Sequence, residues 1–378
     1  MKNLISVVIA LLLFASPAIA IEKLEGADIS ISAPSAVLIE KESGVIIYEK
    51  NPHERLSPAS VTKVMTMLLV VEEIERGNLS IDDIVTASAN ARSMGGSQIW
   101  LEDGEQMSVH DMLKAVVVVS ANDCAVALAE HISGTEESFV ARMNERAIEL
   151  GMVNTEFSNC TGLFESERHL STAYDIALMS RELIKHDFIK EYTTIWMDSL
   201  RDGEFGLSNT NKLIYYFSGA TGLKTGYTST AMYCLAATAE RDGVEYIAAV
   251  MNADSSNNRF ESAKTLLNYA FANYTLVSVL PEDGFGHVSV KLGSSDLVTL
   301  TAAGRQNVLI KRNEAADLEY VIDLPEYVDA PISAGTQIGL LTVTSPHGKI
   351  AEIPLLASDR IDKINSWQVF TALLHALF

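Results

Sequence analysis

Residues 57–71 read Ser57-Pro58-Ala59-Ser60-Val61-Thr62-Lys63-Val64-Met65-Thr66-Met67-Leu68-Leu69-Val70-Val71. Serine is a favoured N-cap and proline fits the first helical position, so the spacing predicts a helix opening at Ser57-Pro58. Val64 to Val71 is apolar almost without interruption. A surface helix carries one apolar stripe, so this helix is expected to be buried. Ser60 then falls in the opening turn, where backbone N–H groups lack helical partners and the dipole favours negative charge. Lys63 lies three positions on, on the same face and within reach of the Ser60 hydroxyl. Burial lowers a lysine pKa, and a neutral amine is a competent base. A serine beside such a base has the make-up of an acyl-transfer nucleophile, and its own N–H can form half of an oxyanion hole.

Working outward, Ala36 to Ile39 and Val45 to Tyr48 are β-rich runs around Glu40-Lys41-Glu42-Ser43-Gly44, which reads as a hairpin. Residues 80–185 are largely helical in pattern, with runs at Met112 to Val119, Asp123 to Ile132, Phe139 to Leu150 and Ser171 to Ile184. Leu223 to Ala239 is strand-like, Arg241-Asp242-Gly243 is a turn signal, and Val244 to Met251 is a further strand. A helix from about Arg259 to Asn273 follows. Strands thus open and close the domain with helices between them. The pattern predicts an α/β (α+β) domain over 21–275, an antiparallel sheet with a helical subdomain. Short strands at Val288 to Leu292, Val308 to Ile310, Tyr320 to Ile322 and Ile338 to Val343 predict a small all-β domain over 276–360.

Both termini carry their own signals. Lys2, the apolar run Leu4 to Ala15 and Ala18-Ile19-Ala20 make residues 1–20 an expected export signal, cleaved after Ala20. Ile364, Trp367, Phe370, Leu374 and Leu377 recur at three- and four-residue spacing, so 361–378 is expected to be an amphipathic helix lying on a membrane surface. The formal net charge of −21 excludes the basic footprint that nucleic acid binding needs. Cys124, Cys160 and Cys234 are too few and too widely spaced for a disulfide framework and are expected to be buried thiols. There is no C-x-x-C and no H-E-x-x-H, so neither a metal nor a cofactor is expected.

Two further motifs follow Ser60-Val61-Thr62-Lys63 in order: Ser120-Ala121-Asn122 and Lys224-Thr225-Gly226. Ser120 and Asn122 sit in a break after four valines. A hydroxyl there can relay a proton between Lys63 and a leaving amine, and Asn122 can bind a substrate amide through donor and acceptor together. Lys224, on a strand, can supply positive charge for a terminal carboxylate and polarise Ser120. Thr225 can hydrogen-bond the carboxylate, and Gly226 lets an extended substrate approach the strand edge. Strict alternation puts Lys224 and Thr225 on opposite faces, so both reach one site only on a twisted edge strand.

The three motifs match the S-x-x-K, S-D-N and K-T-G signature of class A β-lactamases and penicillin-binding proteins. Residues 33–275 resemble the D-alanyl-D-alanine carboxypeptidases, the low-molecular-mass penicillin-binding proteins. The likeness is strongest at 57–66, 96–105, 120–134, 159–175 and 223–227. The resemblance implies Ser60 as acylated nucleophile, Lys63 as general base, and Ser120 with Lys224 as proton relay. It implies Ser60 and Tyr227 N–H groups as the oxyanion hole and Arg259 beside the carboxylate pocket. It also implies peptidoglycan peptides ending in D-Ala-D-Ala as substrate, β-lactams as inhibitors, and an extracytoplasmic, membrane-anchored location. Two residues depart from the common pattern: Tyr227 stands where many members have histidine, and Asn209-Thr210-Asn211 where some have Asn-Arg-Asn. Both departures resemble the sporulation-type branch. Cys124 lies one helical turn after Ser120, so a thiol reagent is expected to inhibit there. A serine β-lactamase and a D,D-endopeptidase share the scaffold, and a non-hydrolytic wall-binding or β-lactam-sensing protein is the reading from another class. No Glu-x-x-x-Asn element of a deacylating glutamate is found.

Overall fold

The first strand, β1 (Ser35–Glu40), alternates between two cores. Val37 and Ile39 join one apolar cluster, while Ala36 and Leu38 join another. A strand with side chains on both faces in dry surroundings needs cover on both sides. In this computed structural model, which describes residues 29–365 and 367 apart from 165, 279–283, 305, 306, 316 and 347, helices provide it. The sheet has the order β2-β1-β5-β4-β3, all antiparallel, with β2 (Ile46–Lys50), β3 (Ala220–Thr228), β4 (Met232–Arg241) and β5 (Val244–Ala253). β1 pairs with β5 from Ser35↔Met251 to Glu40↔Tyr246, so the two ends of the domain close one sheet, as its pattern predicts. β3 is an outer strand.

One face carries α1 (Lys63–Glu75), α2 (Val109–Val118), α3 (Asn122–Ser133), α4 (Glu136–Glu149) and α5 (Ala173–Leu183). The other carries α6 (Ser256–Asn273). Every residue of α1 from Lys63 to Glu73 is buried, as its unbroken apolar run requires. Ser108, Thr135, Thr172 and Ser255 cap α2, α4, α5 and α6 through their side chains. The start of α1 differs from its sequence pattern. Ser57 caps nothing, Ala59 takes φ +47, a 3-10 turn spans Ala59–Thr62, and the α-helix begins only at Lys63. Tertiary packing around this turn overrides the helix-opening signal. The strand-like stretch 223–239 also divides into β3 and β4, which a turn at 229–231 reverses before Met232 at φ +53.

Beyond α6, β6 (Tyr274–Ser278) pairs with β9 (Asn307–Lys311). A six-stranded sheet follows with the order β10-β12-β13-β8-β7-β11. Its strands are β7 (His287–Lys291), β8 (Leu297–Ala302), β10 (Glu319–Asp323), β11 (Tyr327–Asp329), β12 (Gln337–Ser345) and β13 (Gly348–Ala357). This module has its own core around Leu341, Val343 and Leu355. The expected helix over 361–378 is corrected at its start. Ile361 exchanges backbone hydrogen bonds with Ile332, Lys363 bridges to Gly293, and the Ile364 N–H donates to Leu292. These residues extend the β module because Ile361 buries its side chain there. The rest of that segment, 366 and 368–378, and the expected export signal, 1–20, lie outside the described residues. Among the described residues no helix is long and apolar enough to cross a membrane.

Leu68 is fully buried in the core between α1 and the sheet. Leu68→Ala is expected to cost about 2–5 kcal/mol. The check is a lowered urea midpoint for the domain over 21–275 with an unchanged m-value.

Candidate active site

Two glycines shape the turn that carries Ser60. A Cβ on Gly226 of β3 would sit 2.7 Å from the Pro58 carbonyl and 3.2 Å from Ser60 N. A Cβ on Gly162, at φ +71, would sit 1.8 Å from the Ala59 carbonyl and 2.7 Å from Thr62 Oγ1. The turn is therefore clamped between the outer strand and the loop 158–164. Asn159 ties that loop, accepting from the N–H groups of Thr161 and Gly162 and donating to the Phe164 carbonyl.

Lys63 enters the clamp from the first turn of α1 and is fully buried. Its Nζ lies 3.2 Å from Ser60 Oγ, 2.5 Å from Asn122 Oδ1 and 2.7 Å from the Thr161 carbonyl. Burial brings its pKa from 10.5 down to about 7. A neutral amine keeps two N–H donors and one lone pair. Asn122 Oδ1 and Thr161 O can only accept from the donors, so the lone pair is left for the Ser60 hydroxyl.

Ser120 lies in the break between α2 and α3, and Asn122 is the first residue of α3. Ser120 takes φ +66, and its buried Oγ has no hydrogen-bond partner among the described residues. A buried hydroxyl in that state is a group that substrate or water satisfies. Lys224 projects from β3, nearly fully buried, and donates to the Thr225 carbonyl at 3.1 Å. Burial, then the charges of Lys63 and Arg259, push its pKa well below the usual lysine value. Thr225 Oγ1 donates to Thr210 Oγ1 at 2.8 Å, and Thr210 N–H donates to the Val118 carbonyl. All three motifs thus converge on Ser60.

The matches to known proteins follow this geometry. A family described as D-alanyl-D-alanine carboxypeptidase matches residues 21–255, and one described as the penicillin-binding protein 5 C-terminal domain matches 274–363. The chain is 41% identical over 374 residues to D-alanyl-D-alanine carboxypeptidase DacF of Bacillus subtilis, covering 96% of this chain and 95% of that protein.

The chain belongs to the D-alanyl-D-alanine carboxypeptidase family.

Among solved structures, penicillin-binding protein 5 of Haemophilus influenzae superposes with TM-score 0.82 at 28% identity, covering 89% of this chain and 100% of that one. The ampicillin-bound penicillin-binding protein D2 of Listeria monocytogenes superposes with TM-score 0.60 at 31% identity, covering 65% of this chain and 100% of that one. The expected fold, a carboxypeptidase domain followed by an all-β domain, is that of the two matching families and of penicillin-binding protein 5 of Haemophilus influenzae.

Several residues sit differently from their sequence reading. Both ends of the Asn122 amide are taken, Oδ1 by Lys63 and Nδ2 by the Gly95 carbonyl at 2.7 Å, so it positions the base and the 95–99 loop. Gly226 makes room for the turn that carries Ser60. Lys224 and Thr225 both stay buried at the site because β3 is an outer strand with Thr210 beside it. Arg259 is buried, and its guanidinium donates to the carbonyls of Gly226 at 2.9 Å and Cys234 at 3.3 Å. It braces β3 from the α6 side, and its buried Nε has no partner among the described residues. Tyr227 is 54% exposed and stacks on Tyr233 with ring centroids 4.5 Å apart. The cysteines are buried free thiols, and burial pushes Cys124 well above the usual thiol range. A fully buried, protonated thiol is not open to a reagent, which overturns the expected inhibition at Cys124.

Sequence reading missed Thr161, Gly162, Asp123 and His169. Asp123 is buried and accepts from the N–H groups of Ile99 and Leu101, fixing the loop that Asn122 also grips. Its place directly after the second motif was the available signal.

Gly162→Ala sets a methyl against the Ala59 carbonyl and strains the backbone at positive φ by about 1–2 kcal/mol before that collision. The expected outcome is a folded but less stable protein whose labelling by a fluorescent penicillin falls at least about tenfold. Labelling rates of wild type and variant, measured side by side, check this.

Proposed function

We propose the following course for the D-alanyl-D-alanine carboxypeptidase reaction of this chain. Neutral Lys63 takes the proton of Ser60 Oγ as that oxygen attacks the carbonyl carbon of the penultimate D-Ala. The oxyanion is held by the N–H groups of Ser60 and Tyr227, which the Gly226 contact keeps side by side. The proton passes through Ser120 Oγ to the leaving amine, with Lys224 holding that hydroxyl polarised. The C–N bond breaks and terminal D-Ala departs. Water then attacks the Ser60 ester and gives its proton to Lys63; the bond between the acyl carbon and Ser60 Oγ breaks, that proton passes to Oγ, and the shortened peptide leaves with a new carboxyl group. On substrate binding Thr225 turns its hydroxyl hydrogen from Thr210 to the terminal carboxylate while Thr210 donates to Thr225 in its place, with Arg259 behind the strand.

The observation that carries this reading is the Lys63 amine, held by two fixed acceptors with its third position on Ser60 Oγ. The groups bonded to that amine include no carboxylate, which supports slow hydrolysis of a β-lactam ester and separates the chain from a serine β-lactamase. We further read the chain as acting outside the cytoplasm, on stem pentapeptides of peptidoglycan and at a membrane surface. The signal pattern of 1–20 and the spacing of Trp367, Phe370, Leu374 and Leu377 support that reading.

Purified protein mixed with a penicillin is expected to gain one drug mass on Ser60 that persists for many minutes. Ser60→Ala is expected to gain none while still binding a D-Ala-D-Ala peptide. Rapid penicillin turnover in place of the adduct would move the reading to a β-lactamase, and an unlabelled, folded wild type to a binding protein. The acylation rate is expected to follow neutral Lys63. Because its pKa is lowered to about 7, the rate rises with pH to a plateau above that value and falls about tenfold per unit below it. A flat profile between pH 5 and 9 would contradict Lys63 as base.

A further inference from the structure

We infer that His169 is a positioning residue that holds the nucleophile turn in register with the loop carrying Thr161, and so sets the direction of the Lys63 amine. The inference rests on the acyl-enzyme reading above and names a part of that site to which no role has been given.

His169 is 1% exposed and stands between two segments distant in sequence. Its Nδ1 faces the backbone N–H of Ser158 at 3.0 Å. A backbone N–H can only donate, so Nδ1 carries no proton and the hydrogen is on Nε2. Nε2 therefore donates to Thr62 Oγ1, 2.8 Å away. The ring is fixed further by the Phe157 ring, 5.9 Å centroid to centroid, and by its own N–H donating to Ser166 Oγ. One bond thus reaches the residue directly before Lys63, and the other reaches the start of the loop whose Thr161 carbonyl accepts from the Lys63 amine.

The same Thr62 hydroxyl is the atom that a Cβ on Gly162 would meet at 2.7 Å. Loop and turn are in close contact here, and His169 is a polar link between them beside the Lys63–Thr161 and Thr66–Cys160 hydrogen bonds. Protonation would place a second N–H against the Ser158 N–H. Burial and the nearby Lys63 charge oppose this, lowering the histidine to about 4. The link is intact wherever the enzyme has a neutral base. His169 touches neither Ser60 nor Thr225 in this arrangement, so its loss misaligns the base without altering the carboxylate side of the cleft.

The test compares full-length His169→Ala, His169→Gln, Thr62→Val and Thr62→Ser with wild type. The readouts are penicillin acylation rate, and kcat and KM for release of D-Ala from an acylated D-Ala-D-Ala peptide. A misplaced base costs about 10–100-fold. His169→Ala and Thr62→Val are expected to lose that much in acylation rate and kcat, with KM within about threefold. His169→Gln, whose amide N–H reaches the Nε2 position, and Thr62→Ser, which keeps the hydroxyl, are expected to regain most of it. His169→Ala acylating within about threefold of wild type would overturn the inference, as would Gln failing where Ala fails. If His169→Ala does not fold, the Thr62 pair decides: Val equal to Ser overturns the link. A wild type that forms no Ser60 adduct would sink the acyl-enzyme reading itself, a result distinct from any of these.

Discussion

The structure depends on keeping one lysine amine dry. Water around Lys63 would return its pKa to the ordinary lysine range, where the neutral form is scarce at pH 7. Burial alone would be costly, because an unpartnered polar group inside a protein loses its hydration without return. Asn122 Oδ1 and the Thr161 carbonyl meet that cost with neutral acceptors. A carboxylate in either place would raise the pKa and turn the base into an ion pair. The choice of a carbonyl and an amide is thus what lets one site be both satisfied and basic.

That choice needs the fold. The two acceptors come from residues 122 and 161, and the wall on the far side of Ser60 comes from residue 226. A helical insert between the first and last strands brings such positions together, since pairing β1 with β5 fixes both ends of the domain. The outer position of β3 then matters twice. Its face packs against the nucleophile turn at Gly226, and its unpaired side leaves Thr225 beside Thr210. The bracing of β3 by Arg259 follows from this outer position, because a strand with one neighbour has fewer bonds to hold it at the close approach to Pro58 and Ser60 that a glycine permits.

Much of this was legible in the residues. The period of β1, the unbroken apolar run of α1 and the caps of α2, α4, α5 and α6 are local signals, and local structure followed them. The three motifs were legible because each is short and contiguous. The opening of α1 was misread because Ser57-Pro58 is a sound capping signal that packing overrides, turning Ala59 to φ +47. The contacts of Asn122 with Gly95 and of Gly226 with Pro58 were not legible, because these neighbours are tertiary. Thr161 was invisible for a plainer reason: it acts through its backbone carbonyl, which every residue possesses. The β strands 297–302 and 348–357 were missed where turn-rich flanks masked modest apolar runs.

The same arrangement bears on why a penicillin ester would outlast a peptide ester. After peptide attack the leaving D-Ala is a separate molecule and diffuses away, opening the space beside Ser120 to water. After β-lactam attack the leaving nitrogen stays tethered to the acyl group, so that space remains filled. Deacylation then requires a water on another approach, with another base. The groups hydrogen-bonded to Lys63 besides Ser60 are the Thr161 carbonyl and the Asn122 amide, and neither takes a proton. The neutral acceptors that let Lys63 stay uncharged are therefore groups that offer a tethered ester no base of their own.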